Sequence, residues 1–295
     1  MSPTRRFSDY LRLLRPQQWV KNLFVFLPAF FADRITDFGL LSQTLVAFVS
    51  LCFLASAIYS FNDVRDRETD RSHPTKRHRP VASGRVSATA ALILAFSLCM
   101  AGLAMAWGLG LPVVALAGLY LVLNLAYSLG LKHVSVLDIF IVSAGYVIRV
   151  LIGGAVGNVS VSMWIVIMTF LLALFIALGK RRDDVLIFNE SGMKTRKAVD
   201  GYTLSFIDSA MMVMAAVNIV SYIMYTVSPG VIAKFHTEKL YVTTLFVLLG
   251  ILRYLQLTHA EKKSGAPTEV LYKDRFIQLT LIGWILAFMF IIYLK

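Results

Sequence analysis

The chain is short of charge. Lys, Arg, Asp and Glu make up 16% of its 295 residues, whereas a soluble domain carries about a quarter. Apolar stretches recur from end to end, so no separate soluble domain is left. Cysteine is scarce as well. Cys52 and Cys99 lie inside apolar stretches, with neither a CxxC pair nor a Cys–His spacing. A disulfide framework and a structural zinc site are thereby excluded, and both residues read as small buried apolar groups. His73, His78, His133, His236 and His259 lack metal-ligand spacing, no Walker-type loop or GxGxxG follows a strand pattern, and no Ser–His–Asp arrangement emerges. The basic N-terminus precedes no small-residue cleavage site and is read as mature sequence.

What is present in quantity is hydrophobicity: 58% of residues, with a mean hydropathy of +0.70. A membrane-crossing helix needs about 20 mostly apolar residues. Nine stretches qualify, at 19–36, 40–61, 87–108, 112–130, 136–156, 161–179, 206–228, 240–257 and 275–294. The expected fold is an all-α membrane protein, one domain over 1–295 with nine transmembrane helices. Trp19, Trp107 and Trp164 fall near proposed helix ends, as interfacial residues do, while Trp284 falls mid-helix.

The net charge of +12 is a matter of placement. Alternate segments 1–21, 62–86, 131–135, 180–205 and 252–275 hold 24 of the 29 Lys and Arg residues, against four on the other side. This asymmetry puts the N-terminus and the long charged loops in the cytoplasm, at the cytoplasmic membrane, and gives no reason to invoke nucleic acid. Stretch 19–36 must then be a crossing, or the first two basic clusters would face opposite sides.

One of those loops carries the motif Asn62-Asp63-x-x-Asp66-x-x-x-Asp70 at the end of the second apolar stretch. At about 100° per residue, a continuing helix holds Asp63, Asp66 and Asp70 within an arc of about 60°. Like charges so placed repel. A divalent cation reverses that cost, and Mg²⁺ suits one or two carboxylates with a shell completed by waters and phosphates. The competing account is a solvated acidic loop neutralised by Arg65, Arg67 and Arg71. Arg71, Lys76, Arg77, Arg79 and Arg85 follow directly, with prolines and Gly84 that argue for a shaped loop. A site with both signs of charge is what a metal-bound pyrophosphate requires.

These residues resemble the UbiA superfamily of intramembrane prenyltransferases: the NDxxDxxxD at 62–70 and the Arg77-His78-Arg79-Pro80-Val81-Ala82-Ser83-Gly84 stretch. Within it the sequence is most similar to the decaprenyl-phosphate phosphoribosyltransferase group. That likeness rests on Arg15-Pro-Gln-Gln-Trp19-Val-Lys21-Asn22, Asp70-Arg-Ser-His-Pro-Thr-Lys76-Arg77 and Tyr127-Ser-Leu-Gly-Leu-Lys132-His-Val-Ser-Val-Leu-Asp138. Gly179-Lys180-Arg181 and Leu271-Tyr-Lys273-Asp274-Arg275 extend it. The resemblance implies transfer of 5-phosphoribose from phosphoribosyl diphosphate to a polyprenyl phosphate, with Mg²⁺ as cofactor and pyrophosphate released. It also implies a product that feeds arabinose-containing envelope glycans.

The resemblance further assigns roles. Asn62, Asp63, Asp66 and Asp70 hold the metal, with Lys21 and Lys76 joining the aspartates in catalysis. Asn22, Arg77, Arg79, Tyr127, Lys132 and Asp138 contact substrate. A second acidic site is implied after the sixth helix, where this chain reads Lys180-Arg181-Arg182-Asp183-Asp184, basic before acidic. Lys180 and Arg181 are expected as phosphate contacts and Asp184 as their acidic partner. Arg149 lies about three helical turns beyond Asp138 on nearly the same face; a functional charge and a bundle-stabilising hydrogen-bond donor both fit it. Gly153-Gly154 and Met211–Met214 read as packing, and a homo-oligomer is compatible with the sequence. Two other functions are weighed. A prenyltransferase joining a prenyl diphosphate to an aromatic acceptor would carry a fuller second aspartate site. A transporter would carry ionisable residues at mid-membrane on several helices, and Arg149 is the one that fits.

Overall fold

The computed structural model describes residues 3–72, 76–192, 197–260 and 267–293, so His73–Thr75 of the cationic loop lie outside the described residues. Every regular element among the described residues is helical. In chain order these are α1 (Pro3–Leu14), a 3₁₀ run (Pro16–Phe26), α2 (Leu27–Phe31), α3 (Phe38–Arg65), α4 (Arg67–Arg71), α5 (Ala88–Gly108), α6 (Leu111–Leu129) and α7 (Leu137–Val156). They continue with α8 (Met163–Ser191), α9 (Leu204–Thr226), α10 (Pro229–Phe235), α11 (Thr244–His259), α12 (Pro267–Lys273) and α13 (Arg275–Tyr293). Short polar side chains start the long ones. Asp37, Ser87, Ser162 and Thr203 each accept a hydrogen bond from a backbone N–H of the first turn of α3, α5, α8 and α9, satisfying a donor that has no partner within the helix. Gly192, left-handed at φ +68, closes α8.

Eight helices among the described residues are long and apolar enough to cross a membrane: Phe38–Arg65, Ala88–Gly108, Leu111–Leu129, Leu137–Val156, Met163–Glu190, Leu204–Thr226, Lys239–His259 and Arg275–Ile292. Each overlaps one of the expected stretches. The expected long α-helix at 19–36 is corrected in its geometry: the chain there is an 11-residue 3₁₀ run followed by the five residues of α2. The physical reason lies in its side chains. Trp19 donates to the Ser56 hydroxyl (3.1 Å), and Asn22 donates to Cys52 Sγ (3.2 Å) while its carbonyl accepts from Arg149 (2.8 Å). These polar anchors and Pro28 hold the backbone away from α geometry. A second correction concerns the sixth stretch, expected to end at 179. Helix α8 runs on to Ser191, so Lys180–Asp184 stand on a helix, not in a loop.

The chain divides into two compact units, Met1–Leu129 with Gly145–Val161, and Gly130–Ala144 with Ser162–Lys295. In the first, α3 is the central element, with half or more of its outer length covered by α5, α6, α1 and the 3₁₀ run. Leu51, Leu54, Ile58, Val113, Tyr120, Ile148 and Ile152 form its core. In the second, α8 and α9 pair along their length around Phe175, Leu178, Ile207, Met211 and Tyr254.

Close approach inside the first unit depends on glycine. A Cβ at Gly153 would sit 1.9 Å from the carbonyl oxygen of Val25, so α7 meets the backbone of the 3₁₀ run directly, as small residues permit between membrane helices. Gly153→Ala therefore forces backbone apart and is expected to cost about 2–3 kcal/mol, read as a fall in the thermal unfolding midpoint in detergent. An unchanged midpoint would show that the run yields freely.

Candidate functional site

The first unit gathers its charge where α3 ends. The helix breaks at Asp66, whose backbone N–H still reaches the Asn62 carbonyl (2.9 Å), and restarts as α4. The expected continuous helix is thus kinked by one residue, yet two of its carboxylates are buried: Asp63 is 2% and Asp70 3% exposed. Buried carboxylates need cations and donors around them. Asp63 accepts from Arg15 and lies 3.3 Å from Arg79, and the same Arg79 nitrogen donates to Asp70 at 2.7 Å. Arg79 therefore bridges two aspartates of the motif. The residues after it form a turn: Ser83 N–H to Arg79 O (2.9 Å) and Val86 N–H to Pro80 O (3.0 Å), with Gly84 at φ +75. Val81 and Val86 plug that turn into a small core with Leu13 and Ala91.

Asn62 is different. Its Oδ1 is buried and accepts no hydrogen bond, an expensive state for an amide oxygen unless a ligand completes it. Asp66 is half-buried beside it in sequence, Lys76 is half-buried on the 3₁₀ turn Lys76–His78, and Arg77 is exposed. Lys21 is half-buried on the 3₁₀ run, and no carboxylate pairs with it among the described residues. Deeper along the run, Arg149 is 5% exposed and donates to Asn22 Oδ1, the Gly145 carbonyl (2.6 Å) and the Tyr120 hydroxyl (3.0 Å). Its guanidinium also faces the rings of Tyr120 and Tyr146 at 4.8 and 5.4 Å. Arg149 thus fixes Asn22, the neighbour of Lys21, by hydrogen bonds and aromatic faces. Tyr127, half-buried near the end of α6, belongs to the same unit.

The second unit holds the remaining candidates. Asp138, fully buried in the first turn of α7, accepts from Arg181 at 2.5 Å and from the Tyr202 hydroxyl at 2.7 Å. Arg181 also donates to Asp184 at 2.5 Å. Arg181 is thus a clasp between two carboxylates. Arg182 is similarly engaged, with Asp208 at 2.6 Å and the Thr258 carbonyl at 2.8 Å. Lys180 and Lys132 are half-buried. Tyr202 accepts in turn from the Val136 N–H (2.7 Å), and Val136 is held at φ +69, a costly conformation for a β-branched residue. Burial, then the hydrogen bond to Asp138, push the Tyr202 phenol well above its usual range, so it stays a neutral donor. In the Leu271–Arg275 stretch, Asp274 takes two hydrogen bonds from Arg253 and caps α13, and those Arg253 bonds hold its carboxyl below the usual range.

Sequence reasoning gave no role to Arg15, Tyr120, Tyr202 or Asp208. Arg15 alone left a trace: it stands in the quoted RPQQW stretch, at φ +53 ahead of Pro16. The others meet partners far off in the chain, with no local pattern.

The profile of the UbiA prenyltransferase family matches residues 22–278. The chain belongs to that family. Over 293 residues it is 35% identical to the decaprenyl-phosphate phosphoribosyltransferase of Mycolicibacterium smegmatis, covering 96% of this chain and 92% of that one. With the protein of the same name from Mycobacterium tuberculosis it shares 32% identity over 287 residues, 96% and 94% of the two chains. A UbiA homologue from Archaeoglobus fulgidus, solved with DMAPP and Mg²⁺, has the same fold at a TM-score of 0.74 and 19% identity, over 97% of this chain and 100% of that one.

In this UbiA family member the oxygen donors at the end of α3 fit a hard divalent cation. The unpartnered Asn62 Oδ1 is the observation that says so, and Asp63, Asp66 and Asp70 are the carboxylates of the same motif that would join it. Among the described residues no three His, Cys, Asp or Glu groups converge at metal-holding distance: Asp63 and Asp70 close instead on Arg15 and Arg79, which balance the charge that a cation would.

The clasp around Asp138 separates two costs. Tyr202→Phe removes one neutral donor and is expected to cost about 1–2 kcal/mol. Asp138→Ala leaves the buried Arg181 without one of its two carboxylates and is expected to cost about 3–5 kcal/mol. Unfolding in detergent measures both, and equal costs would contradict the assignment of Asp138 as the centre of the cluster.

Proposed function

We propose that this protein transfers 5-phosphoribose from phosphoribosyl diphosphate to a polyprenyl phosphate, decaprenyl phosphate being the acceptor in the names of its relatives, and releases pyrophosphate. The observation that carries the reading is the α3 terminus, where an unsatisfied Asn62 oxygen and three aspartates stand among Arg15, Arg79, Lys76 and Arg77. Near-complete coverage by relatives named for this reaction supports it. Mg²⁺ bound by Asn62, Asp63, Asp66 and Asp70 would supply charge neutralisation to the diphosphate leaving group. Arg79, Lys76 and Arg77 donate to its oxygens and stabilise the charge that builds as the sugar C1–O bond breaks. In the first unit Lys21, held beside the Asn22–Arg149 pair, takes a substrate phosphate, with Asn22 and Tyr127 as further contacts; in the second unit Lys132 and Lys180 are the phosphate contacts. Arg181 holds Asp138 and Asp184 in place. The acceptor phosphate is already anionic at neutral pH, so no general base is required.

The same reading places the protein in the cytoplasmic membrane with its N-terminus and aspartate loop on the cytoplasmic side. Support comes from the first unit. Residues 15, 19 and 22 meet 63, 56 and 52 in turn, so residues 15–31 run antiparallel to α3. Eleven 3₁₀ residues rise about 22 Å, and α2 adds about 7 Å. Together they match a hydrocarbon core of about 30 Å and make a ninth crossing from fewer residues than an α-helix needs.

Purified protein given Mg²⁺, labelled phosphoribosyl diphosphate and a polyprenyl phosphate is expected to form pyrophosphate and a polyprenyl phosphoribose. No product here, with turnover of a prenyl diphosphate and an aromatic acid instead, would overturn the assignment. Asp66→Asn is expected to lower turnover at least about a hundredfold with the unfolding midpoint unchanged; retained activity would remove the metal role from the motif.

A further inference from the structure

Helix α1 takes no part in the transfer reaction, yet its two faces differ sharply. One face is fixed to the protein: Leu13 is fully buried with Val81, Val86 and Ala91, and the buried Asp9 pairs with Arg85 at 3.0 Å. The Leu14 carbonyl accepts from the Ser56 hydroxyl of α3 at 2.9 Å. The other face leaves Phe7 68%, Leu11 41% and Tyr10 37% exposed. At 100° per residue these three lie within about 100° of arc, while Arg12 is exposed on the far side. The sequence places Arg5 and Arg6 on the same helix.

The depth of this stripe follows from what α1 touches. Helix α3 has 28 residues and is about 42 Å long, about 12 Å more than a hydrocarbon core. The exposed Arg34–Asp37 ion pair stands ahead of its start, so the excess lies at the other end and Ser56 falls near the hydrocarbon boundary. Ala91 is in the first turn of α5, and the outward apolar band of α5 begins directly after it, with Ile93 63% and Phe96 69% exposed. Through Leu13 and Ala91, α1 is therefore level with the top of a lipid-facing surface.

We propose that α1 is an in-plane membrane helix, its Phe7–Tyr10–Leu11 stripe seated in the headgroup–acyl boundary of an anionic leaflet and the exposed Arg12 matched to lipid phosphate. Helices of this kind bury their apolar face about 5–10 Å into that boundary. The next residue after α1 is Arg15, which holds Asp63, so lipid anchorage of α1 also steadies one cation of the aspartate cluster.

The test uses the full chain in phosphatidylcholine vesicles with and without phosphatidylglycerol. Nitroxide labels at Phe7→Cys, Leu11→Cys and Arg12→Cys, in a Cys52→Ala, Cys99→Ala background, report access to oxygen and to an aqueous nickel chelate. The oxygen-to-nickel ratio is expected to be several-fold higher at 7 and 11 than at 12, and to rise with phosphatidylglycerol. Arg5→Gln, Arg6→Gln and Arg12→Gln together should abolish the rise. Should the cysteine-free background fail to fold, Phe7→Trp in the natural background is expected to be quenched more by brominated lipid than by iodide. Equal ratios at 7, 11 and 12 would overturn the proposal, as would shielding of 7 and 11 from both reagents, the signature of a second copy or another protein covering the stripe. Absence of any rise with phosphatidylglycerol would overturn the anionic-lipid part.

Discussion

Two carboxylates buried around the end of an apolar helix need positive charge against them, and much of the first unit is arranged to provide it. Arg15 comes from the start of the 3₁₀ run and Arg79 from the loop after α4, and both converge on Asp63. Arg79 also carries Asp70. To bring Arg15 there, the chain accepts a left-handed residue ahead of Pro16; to bring Arg79 there, it folds residues 79–86 into a turn plugged by Val81 and Val86. The isolated pairs are worth little as stability, since removing two charges from water costs most of what their attraction returns. Their value is in poise. A magnesium diphosphate brings a cation for the carboxylates and oxygens for the arginines, so both sets of partners can be exchanged without leaving a bare buried charge.

The second unit applies the same rule with different partners. Asp138 is fully buried and paired with Arg181, while Tyr202 and the strained Val136 complete its surroundings. Of the cations that follow Gly179, Arg181 and Arg182 are committed to carboxylates and a carbonyl. The basic-before-acidic order of this stretch now has a structural content. Its arginines stand on α8 and pair with Asp184 of the same helix, Asp138 of α7 and Asp208 of α9.

What the sequence disclosed depended on range. The aspartate motif, the following cations and eight of the apolar helices are short-range patterns, and each was legible. The path of residues 16–31 was not, because hydropathy is blind to the difference between α and 3₁₀ geometry, and the side chains that decide it reach Cys52, Ser56 and Arg149. The extension of α8 to Ser191 was missed because the span was ended where apolarity ends, although Lys, Arg, Asp and Leu continue a helix readily. Arg15 and Tyr202 meet carboxylates 48 and 64 residues away, a separation at which no periodicity points from one to the other.

The central claim is that the α3 terminus takes a divalent cation together with a diphosphate. Equilibrium dialysis of Mn²⁺ against the detergent-solubilised protein, with and without inorganic pyrophosphate, addresses it without needing turnover. Because Arg15 and Arg79 already balance Asp63 and Asp70, Mn²⁺ alone should bind weakly. Pyrophosphate should tighten protein-bound Mn²⁺ by about tenfold or more, and Asp66→Asn should remove that gain. Equal Mn²⁺ retention with and without pyrophosphate, or a gain that survives Asp66→Asn, would contradict the account.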